Sequence, residues 1–321
     1  MAIIKAETLK KNYDGFLAVK GIDFSIHKGE VFGFLGPNGA GKTTTINMLT
    51  GLTRITSGQI DIAGIDAVKN IKNAQRMIGI VPDESNLYME MDGFENLCFC
   101  AALYGIKKVE REKRAKKLLK EFNLENTGNR LFKAYSKGMK RKLTIAAGII
   151  HEPQILFLDE PTTGIDVESA RQIRDLIVKL HNSGTTIFLT THYIEEAERL
   201  CDRIAFIVNG EIVQEGTIEE LMLSVQRDNI VQLSVDKGLY AIQKTLETDF
   251  FQYRFEIRDN QTFILYSETP ITLMPIMKYF DERRFNVYEA KLIKPSLEDV
   301  FVKITGIEVS KMKKEKEGGK Q

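Results

Sequence analysis

The sequence predicts an α/β protein built on a parallel sheet, followed by a smaller α+β domain. Short apolar runs alternate with helical patterns up to about residue 220, which is typical of parallel strands joined by crossover helices. One of these runs leads through a glycine-rich stretch directly into a helical segment that starts at Lys42. Near Leu223 the pattern changes to short segments that alternate like strands, with two helical segments among them.

Five apolar runs are predicted to be core strands because they are short, continuous and rich in β-branched or aromatic residues. They are residues 31–35, 78–81, 155–158, 186–189 and 204–208. Residues 93–150 show no strand pattern and include a charged helical segment near 109–122. We therefore predict a first domain over residues 1–223, with an inserted helical subdomain at about 84–150.

Residues 224–306 are predicted to form a ferredoxin-like domain with the element order βαββαβ. Strand patterns occur at 231–235, 252–257, 262–266 and 285–293, and helical patterns occur at 240–246 and 273–283. The charged end of the chain, residues 307–321, is predicted to be disordered.

Composition restricts the possible partners and the compartment. Lys+Arg 45 against Asp+Glu 44 gives a formal charge of +1, so nucleic acid is not expected as a ligand. Cys98, Cys100 and Cys201 include no CxxC pair, which argues against a disulfide framework or a zinc site and fits a reducing cytoplasm. The N-terminus lacks a signal-peptide pattern, and no apolar run approaches the ~18 residues of a membrane span. We therefore expect a cytoplasmic chain that reaches a membrane only through a partner.

The glycine-rich stretch fits GxxxxGK followed by Ser or Thr, the pattern of a loop that surrounds phosphate groups. Glycines let backbone N–H groups approach phosphate oxygens, and the following helix points its positive end at the anion. Lys42 supplies charge for the β- and γ-phosphates, and the Thr43 hydroxyl is a ligand for Mg²⁺. A plain glycine turn would not explain the strand before it and the helix after it. The predicted nucleotide-binding residues of this phosphate loop are Gly36, Pro37, Asn38, Gly39, Ala40, Gly41, Lys42, Thr43 and Thr44.

Three further polar residues end predicted core strands, where ligands bind in parallel sheets. Asp159 and Glu160 follow the run 155–158. Asp159 suits the Mg²⁺ shell, which leaves Glu160 free to polarise the attacking water as a general base. His192 follows residues 186–191 and can donate a hydrogen bond to the γ-phosphate. The alternatives are a solvated turn for the two acids and a structural role for the histidine.

The order of these motifs resembles the ATP-binding subunit of ABC transporters over about residues 2–223. Tyr13 lies where that family stacks an aromatic ring on adenine. Residues 135–139, Tyr-Ser-Lys-Gly-Met, are similar to the family signature LSGGQ. Residues 161–166 are similar to the D-loop region, and His192 to the switch histidine. The resemblance implies that ATP and Mg²⁺ are the ligands.

Ser136 and Gly138 of the signature are implied to face the phosphate loop of a second subunit, so that two chains clamp two ATP molecules. Ser136 can cap the helix that begins there, and such a helix end offers N–H groups and a positive dipole to phosphate. For a lone Ser-x-Gly, a simple helix cap is the alternative interpretation. The sequence leaves open whether the second ATPase subunit is identical or different.

Two departures from the family pattern matter for the site, one after the strand at 78–81 and one in the signature. Asp83 stands where the family has a glutamine after the strand at 78–81. A carboxylate binds Mg²⁺ more strongly than an amide, but donates a hydrogen bond to water only when protonated. Lys137 replaces a signature glycine, and Met139 replaces the signature glutamine. Since Lys42 and Glu160 are retained, we expect hydrolysis.

Residues 295–301 with Thr305-Gly306 resemble the end of ATPases that are paired with ABC-2-type exporters. This implies a separate integral membrane subunit and a peripheral position on the inner face of the cell membrane. The loop at 86–94 is rich in Met and aromatic side chains, which are enriched in interface cores. We expect some of Tyr88, Met89, Met91 and Phe94 to contact the membrane subunit and the others to pack internally.

Two other functions are compatible with a phosphate loop of this kind. Non-transport ATPases of this superfamily insert long coiled coils or carry two ATPase halves in tandem, and this sequence has neither feature. A module that senses ATP without turnover is disfavoured by Glu160 and His192.

Overall fold

The computed structural model describes residues 1–225, 229–236, 238–293 and 296–307. The strands are β1 (Ala2–Tyr13), β2 (Phe16–His27), β3 (Val31–Leu35), β4 (Ser57–Ile62), β5 (Ile65–Asp66), β6 (Ile78–Val81), β7 (Ile155–Asp159), β8 (Thr186–Thr191), β9 (Arg203–Val208), β10 (Glu211–Thr217), β11 (Asn229–Val235), β12 (Arg254–Ile257), β13 (Thr262–Ser267) and β14 (Val287–Ile293). The helices are α1 (Lys42–Leu49), α2 (Ile71–Gln75), α3 (Gly93–Leu103), α4 (Lys108–Glu121), α5 (Lys137–Ile149), α6 (Val167–Asn182), α7 (Ile194–Leu200), α8 (Ile218–Val225), α9 (Gln243–Asp249), α10 (Leu273–Glu282) and α11 (Leu297–Thr305).

The chain divides into two compact units. Among the described residues, one unit comprises Met1–Ile218 with residues 304–307, and the other comprises Glu219–Lys303. The division therefore falls before most of helix α8 rather than at residue 223, because a helical pattern alone does not tell which unit a helix packs against. The tail predicted at 307–321 lies outside the described residues, except for Ile307.

A six-stranded sheet with the order β10-β9-β3-β8-β7-β6 forms the centre of the first unit. Strands β3, β6, β7, β8 and β9 are parallel, and β10 is antiparallel to β9. Every residue of β3, β7 and β8 is buried, as expected for strands that are covered on both faces. The prediction of a parallel core sheet built from the five apolar runs is confirmed.

A second, antiparallel sheet with the order β2-β1-β4-β5 was not predicted. Strand β1 mixes charged and apolar residues, and its irregular pairing with β2 hides the alternation that a half-buried strand usually shows. Phe24 of β2 packs with Phe32, Phe34 and Phe188 of the central sheet, at ring-centroid distances between 5.7 and 6.1 Å. This aromatic cluster joins the two sheets in one core.

Three helices, α3, α4 and α5, form the region that was predicted to be helical. Two of them start with a side-chain cap. Asp92 and Glu95 form a reciprocal capping box at the start of α3, and the Ser136 hydroxyl accepts from the N–H of Met139 at the start of α5. These caps fix the starts of both helices.

In chain order, the second unit contains most of α8, then β11, α9, β12, β13, α10 and β14, and most of α11. Its antiparallel sheet has the strand order β12-β13-β11-β14. The helical pattern at 240–246 corresponds to a 3-10 turn, Leu239–Ala241, followed by α9, and the strand expected at 252–257 begins at Arg254. Within the described part of the chain, no helix is both long and apolar enough to cross a bilayer.

Candidate active site

The carboxyl ends of three neighbouring strands bring the predicted site residues to one edge of the central sheet. Strand β8 lies between β3 and β7, and all three run parallel. The phosphate loop follows β3, Asp159 ends β7, and His192 follows β8. This is the edge at which open parallel sheets bind ligands.

Two glycines of the phosphate loop are required by close packing. A Cβ on Gly36 would lie 2.1 Å from the carbonyl oxygen of Ile207, and one on Gly41 would lie 2.7 Å from that of Ala18. Gly41 also has a positive φ of 104° and is the N-cap of α1, where no side chain caps the helix. The first turn of α1 therefore presents its backbone N–H groups without a capping side chain, which suits an anion.

Lys42 lies buried within this loop, with 6% of its surface exposed. Its Nζ donates to the carbonyl oxygens of Gly36, at 2.7 Å, and Pro37, at 3.1 Å. It also lies 3.3 Å from Oε1 of Glu160. The ammonium group thus joins the phosphate loop to the end of strand β7.

Asp159 is a buried carboxylate that collects hydroxyl groups from the neighbouring segments. Thr43 Oγ1 donates to its Oδ2 at 2.8 Å, and Thr190 Oγ1 donates to its Oδ1. Burial raises the pKa of Asp159 above its ordinary value, against the effect of these two hydrogen bonds, and the charges of Glu160 and Asp83 raise it further. Carboxylate and hydroxyl oxygens are the ligands that Mg²⁺ prefers, so the donor set here fits that ion.

Glu160 and His192 are in direct contact. Glu160 Oε2 lies 2.7 Å from Nδ1 of His192 and accepts from the hydroxyl of Thr163 at 2.9 Å. Burial alone would raise the pKa of Glu160, but the hydrogen bond from His192 and the charge of Lys42 hold it below its ordinary value. Glu160 therefore remains an ionised acceptor at neutral pH.

The turn after β7 orients the Glu160 side chain. Glu160 has a positive φ of 49°, and its N–H donates to the carbonyl oxygen of Thr190. A left-handed conformation is uncommon for residues other than glycine, and such strain concentrates at functional sites. The sequence predicted both Glu160 and His192, but not that they touch.

The signature residues Ser136 and Gly138 shape their own helix in this chain. Ser136 is the N-cap of α5, and its Oγ accepts a hydrogen bond from the backbone N–H of Met139 at 3.2 Å. A Cβ on Gly138 would lie 2.2 Å from Oγ and 2.6 Å from Cβ of Ser169, so the glycine allows α5 and α6 to approach. The contact of Ser136 and Gly138 with the nucleotide of a second subunit stays a prediction.

Gly138→Ala is expected to lower the free energy of unfolding by about 1–3 kcal/mol, because the new methyl group overlaps Ser169. Urea unfolding measures the change. The matched control is Gly138→Ala combined with Ser169→Gly, which removes both overlapping atoms and should recover part of the loss. Equal destabilisation in the single and double variants would contradict the packing explanation.

Tyr13 ends strand β1 opposite Phe16, and 42% of its surface is exposed. The ammonium group of Lys11 lies 4.5 Å from the centre of its ring. The next strand, β2, reaches the phosphate loop where Ala18 approaches Gly41. Stacking of Tyr13 on adenine remains a prediction.

Arg141 is a site residue that the sequence interpretation missed. It is 7% exposed, and its guanidinium donates to five backbone carbonyl oxygens. These belong to Pro82, Asp83, Asp159, Glu160 and Pro161. Arg141 thus ties helix α5 to the ends of β6 and β7. The sequence gives no signal for this, because Lys140, Arg141 and Lys142 form a basic run in which any member could face inward.

Sequence comparisons agree with this geometry. The profile of the ABC transporter family matches residues 19–163. The linearmycin resistance ATP-binding protein LnrL of Bacillus subtilis is 37% identical, and the match covers 95% of this chain and 98% of LnrL. The daunorubicin/doxorubicin resistance ATP-binding protein DrrA of Streptomyces peucetius is 35% identical, with 94% and 92% covered. The Nod factor export ATP-binding protein I of Cupriavidus pinatubonensis is also 35% identical, with 96% and 92% covered.

Solved structures give the same result. An ATP-binding subunit of an ABC transporter superposes with a TM-score of 0.64 at 30% identity, covering 69% of this chain and 92% of that one. A dimeric, post-hydrolysis ATP-binding cassette with ADP and Pi bound gives 0.62 at 28% identity, covering 67% and 98%. The chain therefore belongs to the ABC transporter family, as an ATP-binding subunit with the ATPase fold of that family.

Proposed function

We propose that this chain binds ATP with Mg²⁺ at the edge formed by β3, β8 and β7, hydrolyses it there, and thereby powers an ABC-2-type membrane exporter. The contact of Glu160 with both Lys42 and His192 carries the proposal, because it places a buried base beside the phosphate loop. The exporter part is supported by relatives that are named for drug resistance or for Nod factor export. Their names do not favour a non-transport ATPase or an ATP sensor.

The roles follow from the contacts at the site. Thr43 and Asp159 would hold Mg²⁺, and Asp83 is close enough to influence Asp159 electrostatically. The bound ion would neutralise charge on the phosphates. Glu160 accepts the proton of the attacking water. Because Nδ1 of His192 is hydrogen-bonded to Glu160, Nε2 is the ring atom that would donate a hydrogen bond to the γ-phosphate. Donation from both ring nitrogens requires the protonated imidazole.

We propose that each site is completed by Ser136 and Gly138 of a second ATPase subunit, identical or different. ATP binding would then close the dimer, and hydrolysis would reopen it. The start of α5 is suited to this role as a helix N-terminus in which Ser136 holds the first turn in place.

Two variants with complementary defects test whether the site is shared. Lys42→Ala removes the phosphate-loop charge, and Ser136→Ala alters the signature, so each homogeneous variant should hydrolyse ATP poorly. A mixture should regain activity, since a mixed dimer has one intact pair of phosphate loop and signature. The ATPase activity per chain of the wild type should fall when the protein is diluted below the concentration at which it forms dimers. Activity that stays constant on dilution, together with no gain on mixing, would show that the site is complete within one chain.

Two side chains of the loop at 86–94 are available to a membrane subunit. Tyr88 is 52% exposed and Met89 is 44% exposed, whereas Leu87 is buried. Tyr88 packs edge-on against Phe99, which holds its ring at the surface. This distribution supports an interface in which exposed apolar groups cover one another on assembly.

A groove of about 920 Å³ offers a second contact surface for the membrane subunit. Its lining includes Leu103 and Tyr104 as apolar groups, and Lys72, Arg76 and Arg114 as basic groups. Tyr104 stacks on His151 with ring centroids 3.6 Å apart, which makes a flat apolar wall. We propose that the groove accepts a short segment of the membrane subunit with apolar and acidic side chains. This arrangement would hold the chain at the inner face of the membrane.

Tyr88→Glu and Met89→Glu are expected to abolish co-purification with the membrane subunit of the proposed exporter, because each buries an unpaired charge in the interface. The matched control is Val109→Glu on α4, which alters an apolar side chain that is 82% exposed. Circular dichroism should show an unchanged fold for all three. Complex formation that survives both loop substitutions would argue against this surface.

A further inference from the structure

A second buried carboxyl group, that of Glu196, lies next to the catalytic pair without joining it. Glu196 is on helix α7, and 4% of its surface is exposed. Thr162 Oγ1 donates to its Oε1 at 2.6 Å, and Thr191 Oγ1 donates to its Oε2 at 2.8 Å. Each carboxylate oxygen therefore holds a different segment of the chain.

These two segments are the ones that carry the catalytic pair. Thr162 comes two residues after Glu160, and Thr191 comes directly before His192. The hydroxyl of Thr191 also accepts from the N–H of Tyr193 at 3.0 Å, which fixes the turn around His192. The two segments are thus joined twice, once within the site by Glu160 and His192 and once beside it by Glu196.

The burial of Glu196 needs a physical reason. Burial raises its pKa above the ordinary value, while the hydrogen bonds from Thr162 and Thr191 lower it. Burying a carboxyl group is costly unless its oxygens are hydrogen-bonded, whereas a fully satisfied buried network makes its surroundings rigid. An apolar side chain would fill the same volume but could not hold two hydroxyl groups at fixed positions.

We propose that Glu196 is a positioning residue for ATP hydrolysis, which sets the position of His192 relative to Glu160 by holding Thr162 and Thr191. The inference rests on the proposed roles of Glu160 and His192. Glu196 itself does not contact ATP in this proposal. Substitution of Glu196 should therefore lower turnover and leave nucleotide binding unchanged.

The test compares Glu196→Ala, Glu196→Gln and Leu200→Ala in the full chain. Glu196→Ala should lower kcat at least about tenfold, since small displacements of catalytic groups have large effects on rate, and leave the KM for ATP unchanged. Glu196→Gln should recover most of the activity, because its amide can accept from one hydroxyl and donate to the other. Leu200→Ala removes a buried side chain of the same helix, which is 8% exposed, and should destabilise the fold while kcat stays at the wild-type value.

A double-mutant cycle separates positioning from simple destabilisation. In a His192→Ala background, Glu196→Ala should cause no further loss of kcat. The proposal is overturned if the two effects multiply, or if Leu200→Ala lowers kcat as much as Glu196→Ala does. Full activity of Glu196→Ala would overturn the positioning role alone, whereas wild-type turnover by Glu160→Gln would overturn the proposed catalytic base.

Discussion

Glu160→Gln is expected to bind ATP at least as tightly as the wild type and to hydrolyse it about 10²–10⁴ times more slowly, as for loss of a general base. The amide keeps the shape of the side chain and can still accept the hydrogen bonds from His192 and Thr163. It cannot take a proton from water at neutral pH. It also neutralises the carboxylate that lies 3.3 Å from the ammonium group of Lys42, so the protein offsets less of the positive charge that faces the phosphates.

Single-turnover hydrolysis and equilibrium binding of ATP measure the two effects separately. Glu198→Gln is the matched control, because it makes the same change from carboxylate to amide at an exposed side chain of α7. It should leave both quantities unchanged. If Glu160→Gln turns over ATP at the wild-type rate, the base is another group. If it loses ATP binding, the ion pair with Lys42 supports the loop itself.

Arg141→Met is expected to lower the free energy of unfolding by about 3–5 kcal/mol, because it leaves buried carbonyl groups without donors. The guanidinium donates to the carbonyl oxygens of Asp159 and Glu160 at the end of β7. It also donates to those of Pro82 and Asp83 after β6. Methionine fills much of the volume but donates no hydrogen bond. ATP hydrolysis should fall as well, since the same carbonyl groups belong to the segments that carry the site.

Urea unfolding with an unchanged m value identifies a pure stability effect. Arg141→Lys should recover only part of the loss, because an ammonium group has three donors and lacks the planar fork of arginine. Arg171→Ala is the matched control: its side chain is 68% exposed and pairs with Glu168, so the change should stay within about 0.5 kcal/mol. A stability of Arg141→Met equal to that of this control would show that the carbonyl groups find other donors.

The phosphate loop, the acids of β7 and His192 could be located from the sequence because each follows a short, continuous apolar run. Buried parallel strands have such a simple pattern that their ends are visible along the chain. The roles proposed for Lys42 and Thr43 rest on chemistry that depends on local spacing, since the glycines, the lysine and the hydroxyl are expected to contact the same phosphate groups.

The antiparallel sheet of β1, β2, β4 and β5 could not be located in the same way. These strands are covered on one face and paired irregularly, so their apolar residues follow neither a continuous nor a strictly alternating pattern. The boundary between the two compact units differs from the one at residue 223 for a similar reason. A helix such as α8 has a pattern that shows that it packs, but not against which unit.

The sequence by itself determined that this protein has a phosphate loop, a carboxylate pair and a histidine at the ends of parallel strands, because these are properties of continuous segments. Only the tertiary structure decided that Glu160 touches both Lys42 and His192, that Arg141 joins five carbonyl groups, and that Glu196 accepts hydrogen bonds from Thr162 and Thr191. These contacts join residues from different segments, and their strength depends on burial. The local sequence pattern of a charged side chain predicts neither its pairing nor its burial, since the same residue types occur at the surface far more often.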